Sequence, residues 1–146
     1  SFVLWNNLGV EYYRDLQFEL AKDAFQKSVD TSPNKAYAIA LNNLGGVNEY
    51  FGNIDEAIHY YKLGIKHGLY KLSYTNLASI YIRQGHYQLA IDLLIEAETS
   101  FPYDYELNYL MRFCYFQTGN YTSFKHYLRR VPPNYKNVGD LIKSLQ

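Results

Sequence analysis

Trp5-Asn-Asn-Leu-Gly-Val-Glu-Tyr12 returns along the chain as Leu41-Asn-Asn-Leu-Gly-Gly-Val-Asn48, and again as Tyr74-Thr-Asn-Leu-Ala-Ser-Ile-Tyr81. Leu8, Leu44 and Leu77 are separated by 36 and 33 residues, and Gly119-Asn-Tyr121 follows Gly85-His-Tyr87 at an interval of 34. Self-similarity at this period is the mark of a stacked repeat, in which each unit is too small to bury its own apolar face. The copies also continue alike. A turn glycine (Gly52, Gly85, Gly119) recurs, and after the first two comes a small residue and then a bulky one, Ala57 and Tyr61 or Ala90 and Leu94. The first copy has Ala21 and Phe25 in those places, and Pro33 and Pro102 close the first and third copies.

The apolar residues recur at helical spacing, and no run alternates as a half-buried strand would. Helices are expected near 2–15, 18–31, 37–51, 54–67, 71–84, 87–100, 104–118 and 121–131, and a short one near 137–145 with Val138, Leu141, Ile142 and Leu145 on one face. Gly9, Gly45 and Ala78 on the first helices, and Ala21, Ala57 and Ala90 on the second, fall where the two helices of a hairpin cross. Small residues there let the backbones approach, and Tyr12, Phe25, Tyr61, Tyr81 and Leu94 fill the space beside them. Two departures stand out. Leu16 occupies the place of a turn glycine, so the first turn is expected to be built differently. In the fourth copy Arg112 and Phe124 replace both small crossing residues, so that hairpin is expected to be splayed or rotated.

Taken in order, Trp5, Leu8, Gly9, Tyr12, Ala21, Phe25 and Pro33 resemble the signature of the tetratricopeptide repeat (TPR) family. Leu77, Ala78, Tyr81, Gly85, Tyr87, Ala90, Leu94, Ala97 and Pro102 resemble it nearly as well. The resemblance implies an all-α fold: a right-handed α-solenoid of about four TPR-like helical hairpins, the last one degenerate. The solenoid would span 2–136, with repeats at about 2–35, 38–70, 71–104 and 105–136, and residues 137–146 would form a C-terminal capping helix. It further implies a binding scaffold with no enzyme activity and no cofactor, whose partner is an extended segment of another protein lying in a concave groove. The alternative is a structural assembly module that self-associates, or docks on another domain, through its ends or outer face.

Composition agrees with a folded binding domain. The chain has 146 residues, 48% hydrophobic and 19% charged, with 17 Tyr and 8 Phe. That balance is the reverse of a disordered chain's. Fourteen basic and fourteen acidic side chains give zero formal charge, so no global field draws nucleic acid or an anionic membrane, and no nucleic-acid partner is expected. No apolar run approaches the roughly 18 residues of a membrane span. Ser1 leads straight into helix-forming sequence, which suggests a mature or excised domain; the compartment is left open between cytoplasm and periplasm. Cys114 is alone and expected to be a small buried hydrophobe. His59, His67, His86 and His126 fall on different hairpins without metal-ligand spacing, so no metal is expected. Nucleotide-loop, nucleophile-elbow and zinc-protease motifs are absent from the sequence. The basic cluster Lys125, His126, Arg129 and Arg130 reads as a solvated helix face, or else as a seat for an acidic partner or RNA docking at that end.

In the family the chain resembles, the first helix of each hairpin lines the groove. Asn7, Asn43 and Asn76 stand at one place in three successive copies, and some superhelical members of that family use such an asparagine ladder. Each amide offers both donors and an acceptor to a peptide backbone. Helical spacing sets Val3, Val10, Tyr13, Arg14, Tyr50, Ile82, Arg83, Tyr109, Phe113 and Phe116 on or near the same surface, polar at its start and aromatic toward the fourth repeat. An aromatic end would anchor an apolar side chain, unless the final helix or the tail containing Pro132 and Pro133 covers Tyr109, Phe113 and Phe116. The family's carboxylate clamp is excluded, because the places where it needs cations hold Asn6, Val10, Leu72 and Asn76.

Overall fold

The computed structural model describes residues 1–68 and 70–136. Its elements are α1 (Phe2–Arg14), α2 (Phe18–Thr31), a single 3-10 turn (Pro33–Lys35), α3 (Ala38–Tyr50), α4 (Ile54–His67), α5 (Lys71–Arg83), α6 (Tyr87–Glu98), α7 (Tyr105–Gln117) and α8 (Tyr121–Leu128). Among the described residues there is no strand. The expected capping helix over 137–145 lies outside the described residues. The chain divides into two compact units, Ser1–Ser73 and Tyr74–Gln146, with the division inside α5.

In the first unit α1 packs on α2, α2 on α3, and α3 on α4. Its core is Ala21, Phe25, Val29, Ala40, Leu41, Leu44 and Val47, with Val10, Tyr12, Phe51 and Leu63 against it. The crossings are as tight as the small residues allow. A methyl group added to Gly9 would stand 2.5 Å from the Phe25 ring, and one on Gly45 would meet the Tyr61 ring closer still. Ala21 and Ala57 are fully buried beside them. Tyr61 is itself buried and its hydroxyl donates to Glu49, so the ring cannot swing aside. After α2, Ser32 turns extended ahead of Pro33, as a residue before proline must, and its N–H and hydroxyl return to the Val29 carbonyl.

The turns inside the hairpins follow one plan, and here the structure corrects the sequence reading. Leu16 is not the start of a different turn. It takes φ 61°, in the same left-handed well as Gly52 (78°), Gly85 (77°) and Gly119 (76°). Its N–H donates to the Tyr13 carbonyl at 3.1 Å, and the next N–H, that of Gln17, donates to the Tyr12 carbonyl at 2.9 Å. The pairs Gly52 and Asn53, Gly85 and His86, and Gly119 and Asn120 make the same two bonds. This double closure satisfies carbonyls that the helix end leaves open. The residue that closes one helix also opens the next, since the carbonyls of Gln17, Asn53, His86 and Asn120 accept from Ala21, Ala57, Ala90 and Phe124. The backbone demand is thus met by a leucine once, with its side chain 74% exposed.

In the second unit Tyr74, Leu77, Ala78, Ile80, Ala90, Ile91, Leu94, Leu107, Met111 and Cys114 are buried. Asp104 caps α7 by accepting from the Leu107 N–H at 3.0 Å, and Asn120 caps α8 by accepting from Ser123 at 3.2 Å. In the last hairpin α8 turns a different face inward. Leu128, which stands where Phe25, Tyr61 and Leu94 are buried in earlier copies, is 42% exposed, and Tyr127 is turned inward at 8%. Tyr127 stacks on Tyr115 with ring centroids 5.5 Å apart and donates to Glu98 at 2.6 Å. The expected end of α8 at 131 is corrected to Leu128, because Arg129 and Arg130 form the turn that brings buried Val131 ahead of Pro132.

Two stability measurements check this account. Leu16→Gly should raise the free energy of unfolding by about 0.5–1 kcal/mol, because it removes left-handed strain at a site with little side-chain burial. Gly45→Ala should lower it by about 1–3 kcal/mol through overpacking against Tyr61. Denaturant midpoints at constant slope would read both.

Candidate functional site

The three asparagines singled out by the repeat are not equivalent. Asn7 on α1 is exposed. Asn43 on α3 is half-buried and donates its amide to the Oδ1 of Asn6 at 2.9 Å, whereas its own Oδ1 takes no bond from any described residue. Asn76 on α5 is half-buried and already held by neighbours. One residue earlier in each copy runs a second polar row that the sequence reading missed: Asn6, Asn42 and Thr75 are buried. The Oδ1 of Asn42 accepts from Ser73 Oγ at 3.2 Å. Adjacent helical positions differ by about 100°, so one amide faces outward and the next turns in. The repeated pair Asn-Asn was the available signal, because two polar residues in succession cannot both share one face.

Around this row in the first unit, Val3 is exposed and Val10 is drawn into the core. Arg14 is paired with Glu11 at 3.1 Å, both side chains open to water, where such a pair contributes little. Tyr13 meets Phe18 edge-on at 5.1 Å, and Phe18 stacks on exposed Tyr50 at 3.7 Å. These rings lie by the hairpin turns, where Leu16, Phe18, Leu20, Tyr50 and Phe51 border a shallow depression.

In the second unit the predicted residues do come together. Ile82, Arg83, Tyr109 and Phe113 line a narrow cleft of about 90 Å³ with Ser79, Glu106, Leu110 and Lys136. Beside it lies a larger apolar groove of about 560 Å³, bordered by Tyr109, Arg112, Phe113, Phe116, Gln117, Phe124, Leu128, Val131 and Pro133. The first wall repeats at helical spacing along α7, and the sequence supplied its aromatic residues. The facing wall was missed, because Phe124 and Leu128 occupy places that are buried in the other copies. Phe116 and Phe124 stand 5.4 Å apart at ring centroids, and the Arg112 guanidinium lies 5.0 Å over the Tyr109 ring.

The chain after Pro132 and Pro133 covers part of this surface. Tyr135 donates to Glu106 at 2.9 Å and its ring sits 6.0 Å from that of Tyr109. The Lys136 ammonium also reaches Glu106 at 2.9 Å and lies 4.7 Å over Tyr109. Tyr109 is accordingly 5% exposed, but Phe116 remains 51% exposed. Burial, and then the bonds to Glu106 and Glu98, hold the hydroxyls of Tyr135 and Tyr127 well above the ordinary tyrosine range, so both remain donors at neutral pH. Burial pushes the Cys114 thiol up to about 12, which suits packing and opposes thiolate chemistry. Among the described residues no three His, Cys, Asp or Glu side chains gather as metal ligands, and no helix is long and apolar enough to cross a membrane.

Residues 81–146 match the family model described as tetratricopeptide repeat. No curated protein matches the sequence. Among solved structures, a crystal structure of MamA is similar with a TM-score of 0.76 at 20% identity, over 89% of this chain and 78% of that one. The MamA RS-1 ArsTM double mutant gives 0.73 at 15%, over 88% and 72%. TTC0263, a thermophilic TPR protein in Thermus thermophilus, gives 0.71 at 18%, over 99% and 79%. At these identities the likeness is one of fold. The repeated signature, the match over residues 81–146 and the shared hairpin fold support a tetratricopeptide repeat protein.

Proposed function

We propose that the chain is an adaptor that holds an extended segment of a partner protein, with Asn7, Asn43 and Asn76 hydrogen-bonding the segment's backbone amides. The tetratricopeptide fold is a protein-interaction scaffold, and the finer reading rests on one observation. At the same place in successive copies, Asn7 is exposed and Asn43 keeps an unengaged Oδ1 among the described residues. The exposed Asn7 amide contributes little to stability there, whereas Asn43 also holds Asn6. Backbone recognition of this kind takes an extended chain with small regard for its side chains, so selectivity falls to the surrounding apolar and charged residues. Val3, Val10, Tyr13, Arg14 and Tyr50 would serve in the first unit, and Ile82, Arg83, Tyr109, Phe113 and Phe116 in the second.

The test separates binding from folding. The partner is recovered by affinity capture from the native organism, and its bound segment is then titrated calorimetrically against variants. Asn7→Ala should change stability by less than about 0.5 kcal/mol, since Ala is the better helix former at an exposed site. Asn43→Ala should cost about 1–3 kcal/mol, because the buried Oδ1 of Asn6 loses its donor. Each should weaken the segment by about 2- to 10-fold, whether its side chains are native or scrambled. Unchanged affinity in the combined Asn7→Ala, Asn43→Ala and Asn76→Ala chain, folded by circular dichroism, would overturn the reading.

A further inference from the structure

We propose that the groove between α7 and α8 takes a bulky aliphatic or aromatic side chain of a partner segment whose flanking residues are acidic. This deepens the adaptor reading and rests on it only in taking the partner to be a protein segment, since none of the three asparagines takes part.

The groove follows from the sequence of the degenerate copy. Where the third copy has Ala78 and Ala90, the fourth has Arg112 and Phe124, and both side chains line the opening. α8 is meanwhile held on its other side by Tyr127, stacked on Tyr115 and bonded to Glu98. With that anchor in place the helices do not close over the groove, and about 560 Å³ is left between them. This volume is in the range of ordinary ligand pockets and exceeds the needs of one large side chain. The exposed ring of Phe116 and the exposed Leu128 face the entrance from opposite helices.

The charge around the groove selects the occupant. From residue 105 to 136 the only acidic side chain is Glu106, against Arg112, Lys125, Arg129, Arg130 and Lys136. Glu106 is already engaged by Lys136 and Tyr135, and Arg130 reaches Glu98 at 3.6 Å. Lys125 and Arg129 are exposed, and no carboxylate among the described residues pairs with them. Each follows directly on a groove residue, Phe124 or Leu128, which sets both cations at the rim of the α8 wall. The whole chain is formally neutral, so this positive end is a local field, fitted to a segment and not to a polyanion. An apolar slot rimmed by cations that no described carboxylate pairs with is complementary to an apolar anchor between carboxylates. The mainly apolar lining, with Tyr109 and Phe113 buried, favours such a segment over stacked bases.

The experiment uses the full chain and a fluorescein-labelled pool of 12-residue peptides, each with a central Leu, Phe or Trp, flanking Asp and Glu, and small polar residues elsewhere. Anisotropy should show saturable micromolar binding that weakens with added salt. A central Ala or Lys flanks should abolish it. Phe116→Asp should weaken binding at least about 10-fold by spoiling the anchor site. The surface variant Lys125→Glu/Arg129→Glu, which touches no core residue, should weaken it by about 10-fold and remove most of the salt dependence. The charge-matched control Lys62→Glu/Lys66→Glu, on exposed residues of α4, should leave pool binding unchanged. The proposal is overturned if the pool fails to bind, or if it binds with affinity indifferent to both groove and rim variants. It is equally overturned if the pool binds only Leu141→Asp/Ile142→Asp, which would make residues 137–146 the occupant. Tighter binding of a 12-nucleotide oligouridine, or a dimer in sedimentation that Phe116→Asp dissolves, would assign the groove to RNA or to a second copy instead. Failure of the groove variants alongside a native partner that depends on Asn7 would leave the adaptor reading standing without this site.

Discussion

The closest approach of two helices within each hairpin governs the rest of the molecule. At Gly9 against Phe25, and at Gly45 against Tyr61, the partner ring occupies the volume a methyl group would need. Backbones that approach so closely exchange side-chain bulk on one helix for a large ring on the other, and the contact is filled without a void. The same requirement returns at Ala21, Ala57 and Ala90, all fully buried. Because these residues return at intervals of 33 to 36, the crossing returns with them, and the repeat is a consequence of that packing demand.

The turns impose a second constraint, independent of packing. Each hairpin reverses through one left-handed residue, and one following residue both ends the first helix and begins the second. That geometry persists at Leu16, where glycine's freedom is missing, and at Gly119, ahead of a helix that buries Tyr127 in place of Leu128. A leucine held at φ 61° shows that the two closing hydrogen bonds and the packing of α1 on α2 outweigh the roughly 1–2 kcal/mol of left-handed strain. Turn and crossing are therefore separable: the fourth copy retains the first and changes the second.

This separation marks how far the sequence could be read. Element order, helix type and the small crossing residues followed from periodicity, because period and residue size report directly on which face is buried. The Leu16 turn was misread because residue type is only a proxy for backbone conformation. The asparagine row was legible as a row. Its division into exposed Asn7, bridged Asn43 and held Asn76, above a buried row of Asn6, Asn42 and Thr75, depends on neighbours that the repeat does not specify. Likewise Arg112 announced that the last hairpin must differ. That Tyr127 would replace Leu128 as the inward residue depended on Glu98 and Tyr115 being placed to receive it.

The departures from the repeat and the candidate groove are thus one fact seen twice. Replacing small residues at a crossing costs close packing between α7 and α8, and the lost contact must be recovered elsewhere. Part of it is recovered by Tyr127 on Tyr115 and Glu98, and part by Tyr135 and Lys136 on Glu106 and Tyr109. These substitutes use aromatic faces and charge-assisted hydrogen bonds where the first three copies use aliphatic and aromatic close packing. They engage Glu98 and Glu106. The apolar slot and the exposed Lys125 and Arg129, which pair with no described carboxylate, thus lie on the same degenerate hairpin.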